Sequence, residues 1–293
     1  FDYGTSIFAD DLEWVSGTSL IVFNTYEMSE VASYSHSHAH IYALDTETGQ
    51  VSLRYQSDED GSFSVSPDGI YAVSRTETSI SLFPVSGMGS GDGGVPEAVT
   101  LYSYERSAND SHNYYYPSVR WSADSQSLIA IDLTSRVGWS ETDDDGKEIF
   151  PAIDIVQIYL DGTTEVLASV EHPTLAYWSL RFTADGSQAI YSTDQSEDCD
   201  FVALPLETNL QLAPQMHNTV MCGGRDIFSF IALTPNGDMY LLEQTENGAT
   251  LSRVCDDFIA CEVVQKIDGT VRSLDFIDDS HYIYCRRYGY SLS

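Results

Sequence analysis

The chain has 293 residues, 42% of them hydrophobic and 12% aromatic, enough apolar material for a substantial core, which excludes a globally disordered polymer in spite of the charge. That charge is extreme: 13 Lys and Arg stand against 45 Asp and Glu, a formal net charge of -32, and Lys147 and Lys266 are the only lysines. Such a surface repels phosphate backbones and anionic headgroups, which excludes nucleic acid and electrostatic membrane docking, and it suits salty surroundings where screening removes self-repulsion.

From the N-terminus, "FDYGTSIFA" (1–9) is followed by one plan repeated six times. The copies are "LEWVSGTSLIVFN" (12–24), "FSVSPDGIYAVSR" (63–75), "VRWSADSQSLIAID" (119–132), "LRFTADGSQAIYST" (180–193), "IALTPNGDMYLLE" (231–243) and "LDFIDDSHYIYCR" (274–286). Each is a short apolar strand, a polar turn and a second apolar strand. The turn residues have mechanical roles: Pro presets φ, Asp and Asn close side-chain turns, and Gly takes positive φ. Trp14, Val65, Trp121, Phe182, Leu233 and Phe276 occupy matching anchor positions, 51, 56, 61, 51 and 43 residues apart. Behind most copies come two more strand-like runs, such as "IYALDTETGQVSLRY" (41–55), "VQIYLDGTTEVLAS" (156–169) and "FVALPLETNLQLA" (201–213).

Four strands per repeat, repeats of roughly 40–50 residues and no convincing helix predict an all-β fold, a six-bladed β-propeller of four-stranded antiparallel blades. One domain over 1–293 is expected, with blades near 10–56, 62–105, 117–170, 178–216, 228–267 and 271–293. The sixth blade is short. The segment 1–9 is expected to supply its outer strand and close the ring, hiding both edges.

The turns "SPDG" (66–69), "SADS" (122–125), "TADG" (183–186) and "TPNG" (234–237) resemble those of TolB-like six-bladed propellers, a group that includes the propellers of prolyl-oligopeptidase-type enzymes. The resemblance spans nearly the whole chain and implies a fold shared by many functions. Blades one and six depart from it with "VSGT" (15–18) and "IDDS" (277–280). A WD40 propeller fits less well, because no Trp-Asp dipeptide ends a blade.

Alternation of turns then sorts the connections by face. Short turns and the Gly-rich "SGMGSGDGGVPE" (86–97) fall on one face. On the other fall the long insertions 24–40, 102–118, 133–152 and 170–179. Tyr114, Tyr115, Tyr116, Trp139, Phe150, Tyr177 and Trp178 make that face either a docking surface for a protein or cell-surface partner or a set of rings packing the loops down. His36, His38 and His40 alternate in "SYSHSHAH". Alternate strand residues lie ~6.5–7 Å apart, so two of the three, not all, could reach one Zn²⁺ with Asp143, Asp144 or Asp145; a solvated loop is the other reading. Glu141, Asp143 and Asp145 precede Gly146 as in a calcium loop, but its twelfth position is Ala152 instead of a bidentate acid. No cofactor is expected, with a divalent metal, Zn or Ca, as the exception to test.

The five cysteines fall between Cys199 and Cys285. Cys255 with Cys261, and Cys199 with Cys222, are placed to form two disulfides in an extracytoplasmic compartment, leaving Cys285 free; five reduced thiols are the alternative. No G-x-S-x-G elbow occurs, so peptidase chemistry is not expected of the chain as it stands, although a propeller could gate a catalytic domain. The residues before the anchors, Glu13, Ser64, Arg120, Arg181, Ala232 and Asp275, are mixed in charge, which suggests cross-blade ion pairs and argues against a central calcium.

These features lead to the expectation of a non-catalytic extracytoplasmic module that binds a protein or surface partner through the long-loop face of blades one to three, or builds into a larger assembly. The alternative is a metal-dependent hydrolase or lyase using His36, His38, His40, His112 and His172 with acids of the same face.

Overall fold

A computed structural model describes residues 6–15, 17–28, 38–76, 78–85, 95–104, 118–132, 152–170, 180–192, 201–208, 210–213, 219–222, 229–234, 237–245, 247–255, 259–276 and 280–286. Among them there is no helix; every regular element is a strand. The chain divides into two compact units, Phe1–Trp139 with Ile153–Val166, and Ser140–Ala152 with Leu167–Ser293.

The first sheet is an antiparallel meander of β1 (Ser6–Trp14), β2 (Leu20–Met28), β3 (His38–Asp45), β4 (Val51–Val65), β5 (Tyr71–Thr76), β6 (Ser79–Pro84) and β7 (Val99–Ser103). The second contains β8 (Val119–Trp121), β9 (Ser127–Asp132), β10 (Ile153–Tyr159) and β11 (Thr164–Val170). The third contains β12 (Arg181–Phe182), β13 (Gln188–Ser192) and β14 (Phe201–Pro205), and the fourth β15 (Thr219–Cys222), β16 (Ser229–Leu233), β17 (Met239–Thr245), β18 (Gly248–Val254) and β19 (Ala260–Asp268). The fifth pairs β20 (Val271–Phe276) with β21 (Tyr282–Arg286).

The propeller class stands, but six repeats appear as five hydrogen-bonded sheets. The difference arises at β4. Its residues from Val51 to Asp60 pair with β3, whereas Gly61–Val65 pair with β5. No proline interrupts "VSLRYQSDEDGSFSV", so the outer strand of one blade runs on as the inner strand of the next. A second difference is β15, which pairs with β16 and makes the fourth sheet five-stranded while the third has three strands. The N-terminal segment also departs from expectation: Ser6, Ile7, Phe8 and Ala9 pair with Met28, Glu27, Tyr26 and Thr25, lengthening β1 within the first sheet instead of completing the last.

Strands with both faces covered read as nearly continuous apolar runs. β9, "SLIAID", is buried from Ser127 through Ile131. Within the first unit, Val22, Ile41 and Tyr55 of one blade meet Phe63, Ala72 and Phe83 of the next, and the Tyr55 and Phe83 rings stack at 5.3 Å. In the second unit, Ile190 packs on Val220, Ile231 and Leu241, and Phe230, Leu242 and Leu251 pack on Val271 and Leu274. The anchors are not equivalent: Trp121 is 2% exposed and its indole Nε1 donates to Ser64 O at 3.2 Å, whereas Trp14 is 57% exposed. Neighbouring blades are also joined by polar contacts. Glu13 Oε2 accepts from Val65 N–H at 2.9 Å, and the Gln244 side chain both donates to Val271 O at 2.5 Å and accepts from Val271 N–H at 3.0 Å.

The repeated turns share one clamp. The hydroxyls of Ser66, Ser122 and Thr183 donate to Asp68, Asp124 and Asp185 at 2.6, 2.6 and 2.7 Å, and each accepts from the backbone N–H that opens the returning strand, at Tyr71, Ser127 and Gln188. Thr234 makes the same turn one residue shorter, with Asp238 N–H donating to its Oγ1 at 3.0 Å. The left-handed position of each turn falls on Gly69, Ser125, Gly186 and Gly237. Ser125 is the exception to glycine, and its Oγ accepts from Asp68 N–H of the preceding blade at 3.1 Å, a bond that compensates for its conformation.

At Gly186 both the positive φ of 67° and the space forbid a side chain, because an added Cβ would collide with the Leu210 carbonyl oxygen. Gly186→Ala is therefore expected to lower stability by roughly 2 kcal/mol or more in urea unfolding; a loss under 0.5 kcal/mol, within the range of about ±0.5 for neutral surface changes, would refute that reading. The Cys255–Cys261 disulfide closes the β18–β19 turn with a Cα–Cα distance of 5.8 Å. Replacing both by Ser should cost about 2 kcal/mol through the restored freedom of the unfolded chain, seen as a lower unfolding midpoint that reductant does not lower further.

Candidate functional site

In the first unit, the β2–β3 and β5–β6 links flank the point where β4 passes from β3, with His38 opposite Asp60, to β5, with Gly61 opposite Thr76. Tyr104 N–H, just after β7, donates to Thr78 O there, and Tyr102 reaches Asp132 at the end of β9, so the starts of the β7–β8 and β9–β10 links join the same end. The strand ends there carry a concentration of polar side chains.

In the first blade, β3 places His40 opposite Thr25 and Gln56, and His38 opposite Asp60. In the second, Thr78 Oγ1 lies 2.8 Å from both carboxylate oxygens of Glu59, and the Tyr104 hydroxyl donates to Thr76 O. In the third, Asp132 at the end of β9 stands directly across the ladder from Asp154 at the start of β10. Tyr102, reaching over from β7, donates to Asp132 Oδ2 at 2.5 Å.

Two like charges across a ladder repel unless a donor lies between or beside them. Tyr102 is that donor. Burial of its ring, the hydrogen bond to Asp132 and the negative charges of Asp132 and Asp154 together hold the phenol proton well above the ordinary tyrosine range. The group is consequently a neutral hydrogen-bond donor at physiological pH, unsuited to act as a base. On β8, opposite Ile129 of β9, Arg120 is 3% exposed, and burial pulls its guanidinium down to about 10, which leaves it cationic at neutrality. This end of the unit can orient polar or cationic groups through carboxylates supported by hydroxyls.

The residues expected to form the site fall out as follows. Tyr114, Tyr115, Tyr116, Trp139, Phe150, Tyr177 and Trp178 lie outside the described residues, as do His36, His112, His172, Asp143 and Asp145. His38 and His40 are on β3, and among the described residues no three His, Cys, Asp or Glu side chains gather as a metal group. The Cys255–Cys261 disulfide is present; Cys222 ends β15, and Cys199 lies outside the described residues. Of the charges expected to pair across blades, Glu13 caps the backbone of the next inner strand, and Arg181 Nη1 donates to Leu180 O at 2.8 Å.

The Tyr102–Asp132–Asp154 group was not visible in the sequence. Tyr102 and Asp132 are 30 residues apart, and only blade packing makes them neighbours. The available signal was their position at strand ends flanking the two longest insertions.

No family model matches the sequence, and no curated protein does. Solved structures do match. Pyrococcus horikoshii acylaminoacyl peptidase aligns over 95% of this chain and 42% of its own, with 12% identity and a TM-score of 0.56. Porphyromonas gingivalis dipeptidyl peptidase 4 aligns over 91% and 41%, with 12% identity and a TM-score of 0.54. The putative TolB from Agrobacterium tumefaciens aligns over 89% and 82%, with 12% identity and a TM-score of 0.45. At these identities the likeness is one of fold, and the chain spans about two fifths of the length of the two peptidases.

The expectation of a non-catalytic binding module does not stand. The matches with TM-scores above 0.5 that bear on it are peptidases, in which this fold forms part of an enzyme. The expectation had rested on long loops and aromatic residues gathered on one face without a catalytic constellation.

Because the folded state holds the Tyr102 proton more tightly than the unfolded chain does, its contribution is complete below the ordinary tyrosine pKa, near about 10, and disappears as pH rises beyond it. Tyr102→Phe should cost about 1 kcal/mol at neutrality and flatten the fall of stability above pH ~10. Identical alkaline slopes for the two proteins in urea titrations would show that Tyr102 is not the group concerned.

Proposed function

We propose that this chain is the propeller part of a hydrolase of the peptidase type, and that its role is to bind substrate and govern access to a catalytic part. The observation that carries the reading is the superposition on acylaminoacyl peptidase, with a TM-score of 0.56 over 95% of this chain and 42% of the other. Two features agree with it. The end of the first unit that carries the long connections also carries Glu59, Asp132 and Asp154, each held by a hydroxyl or facing another acid, a setting suited to the cationic amino group of a peptide. The net charge of -32 would concentrate cationic peptides around the molecule at low salt.

The same reading places the protein in an oxidising, extracytoplasmic compartment. The Cys255–Cys261 disulfide supports that placement, since such bonds persist mainly there.

The test is isolation of the native protein with antibodies raised against this chain, followed by labelling with a fluorophosphonate and assay on acyl-amino-acid and dipeptidyl p-nitroanilides. A labelled serine on the polypeptide that contains the chain, with hydrolysis of one substrate class, is the expected result. Native material that neither takes the label nor cleaves any of these amides sinks the proposal.

A further inference from the structure

Strand β19 is held to its sheet unevenly along its length. Its C-terminal half is built in: Ile267 is 2% exposed and packs with Phe230, Leu242, Ala249 and Leu251, and the Gln265 side chain accepts a hydrogen bond from the Tyr282 hydroxyl. Its N-terminal half buries no side chain. Ala260, Cys261, Glu262, Val263 and Val264 are all exposed, the two valines at 58% and 46%. β19 is also the last strand of its sheet, with β18 on one side and no strand on the other among the described residues.

The ladder is irregular over the same residues. Ser252, Arg253 and Val254 of β18 face Val263, Glu262 and Ala260, and the register slips on either side of the Ser252–Arg253 pairs, leaving Val264 and Cys261 as extra residues on β19. A bulged residue stays out of the pairing, so only Ala260, Glu262 and Val263 of this half have partners on β18. The exposed pair of Glu262 with Arg253 adds little, because the Arg253 guanidinium is already taken by Asp238 at 2.9 Å. Ordering the backbone of such a segment costs conformational entropy that no buried side chain offsets. The remaining hold is covalent: Cys261, itself one of the bulged residues, is bonded to Cys255 just after β18.

We propose that the Cys255–Cys261 disulfide is a redox latch, whose reduction releases Ala260–Val264 from β18 while Gln265–Asp268 stay in the sheet. Both cysteines are exposed, which admits an attacking thiolate, and exposed disulfides are the labile ones. The reductant is a dithiol. One of its thiolates attacks a sulfur of the bridge, breaking the S–S bond and forming a mixed disulfide; its second thiol then displaces the protein sulfur. Two electrons and two protons pass to Cys255 and Cys261, and the reductant leaves as its own disulfide. Without the tether, only three ladder pairs oppose opening, and regions with so few buried contacts open while the rest of the fold stays closed. The latch rests on β19 and its disulfide alone, so it stands or falls separately from the peptidase reading.

Hydrogen–deuterium exchange of the full chain, read by mass spectrometry before and after treatment with dithiothreitol, is the test. Reduction should speed exchange at 252–254 and 260–264 by about tenfold or more, while β16, β17 and 265–268 keep their protection. Iodoacetamide added under the same conditions should mark both Cys255 and Cys261 in a protein whose circular dichroism remains that of the folded chain. Cys255→Ser combined with Cys261→Ser should exchange like the reduced protein, and dithiothreitol should change nothing further at 252–264, which separates this bridge from the other three cysteines. Alkylation of both cysteines with protection at 260–264 unchanged overturns the proposal. A bridge that dithiothreitol opens only as the whole chain unfolds does so too, as does a loss of protection that spreads through β16 and β17.

Discussion

Apolar residues on both faces of a sheet demand that both faces be covered, and the architecture follows from that demand. β9 buries Leu128, Ile129, Ala130 and Ile131 in succession, alternating between its two faces. A single meander could shelter only one side of such a strand. Stacking blade against blade shelters both, as Tyr55 on Phe83 and Leu251 beside Leu274 illustrate within the two units. The polar joints between blades, Glu13 to Val65 and Gln244 to Val271, serve backbone groups of inner strands that would otherwise be buried without partners.

The clamped turns do a different task. A hydroxyl that donates to an Asp and accepts from the returning strand sets the hairpin register before any blade has packed. Asp124 and Asp185 sit below the ordinary carboxylate range for this reason: the Ser122 hydroxyl leads at Asp124, and at Asp185 burial opposes the shift but the Thr183 and Ser187 bonds prevail. Part of the strong acidity of the chain is therefore structural.

The four turns could be read directly from "SPDG", "SADS", "TADG" and "TPNG", because their chemistry is local: a hydroxyl, an Asp or Asn two residues on, and a residue that accepts positive φ. The disulfide between Cys255 and Cys261 was legible for the same reason, being closed within one hairpin. The number of sheets was not. Whether "YQSDEDGSFSV" bends between blades or runs straight depends on which neighbours offer hydrogen bonds, and both β3 and β5 do. The fate of Ser6–Ala9 was decided likewise, by the free edge of β2 beyond Phe23.

By itself the sequence determined the class of fold, the position and mechanism of the short turns, and the electrostatic sign of the surface, since each depends on residues adjacent in the chain or on composition. Only the tertiary structure decided which repeats share a sheet, why Trp121 is buried while Trp14 is open, and that Tyr102 stands over Asp132 and its cross-strand neighbour Asp154. Those outcomes depend on contacts between residues tens of positions apart, whose free energy appears only when the blades pack and for which the chain carries no local mark.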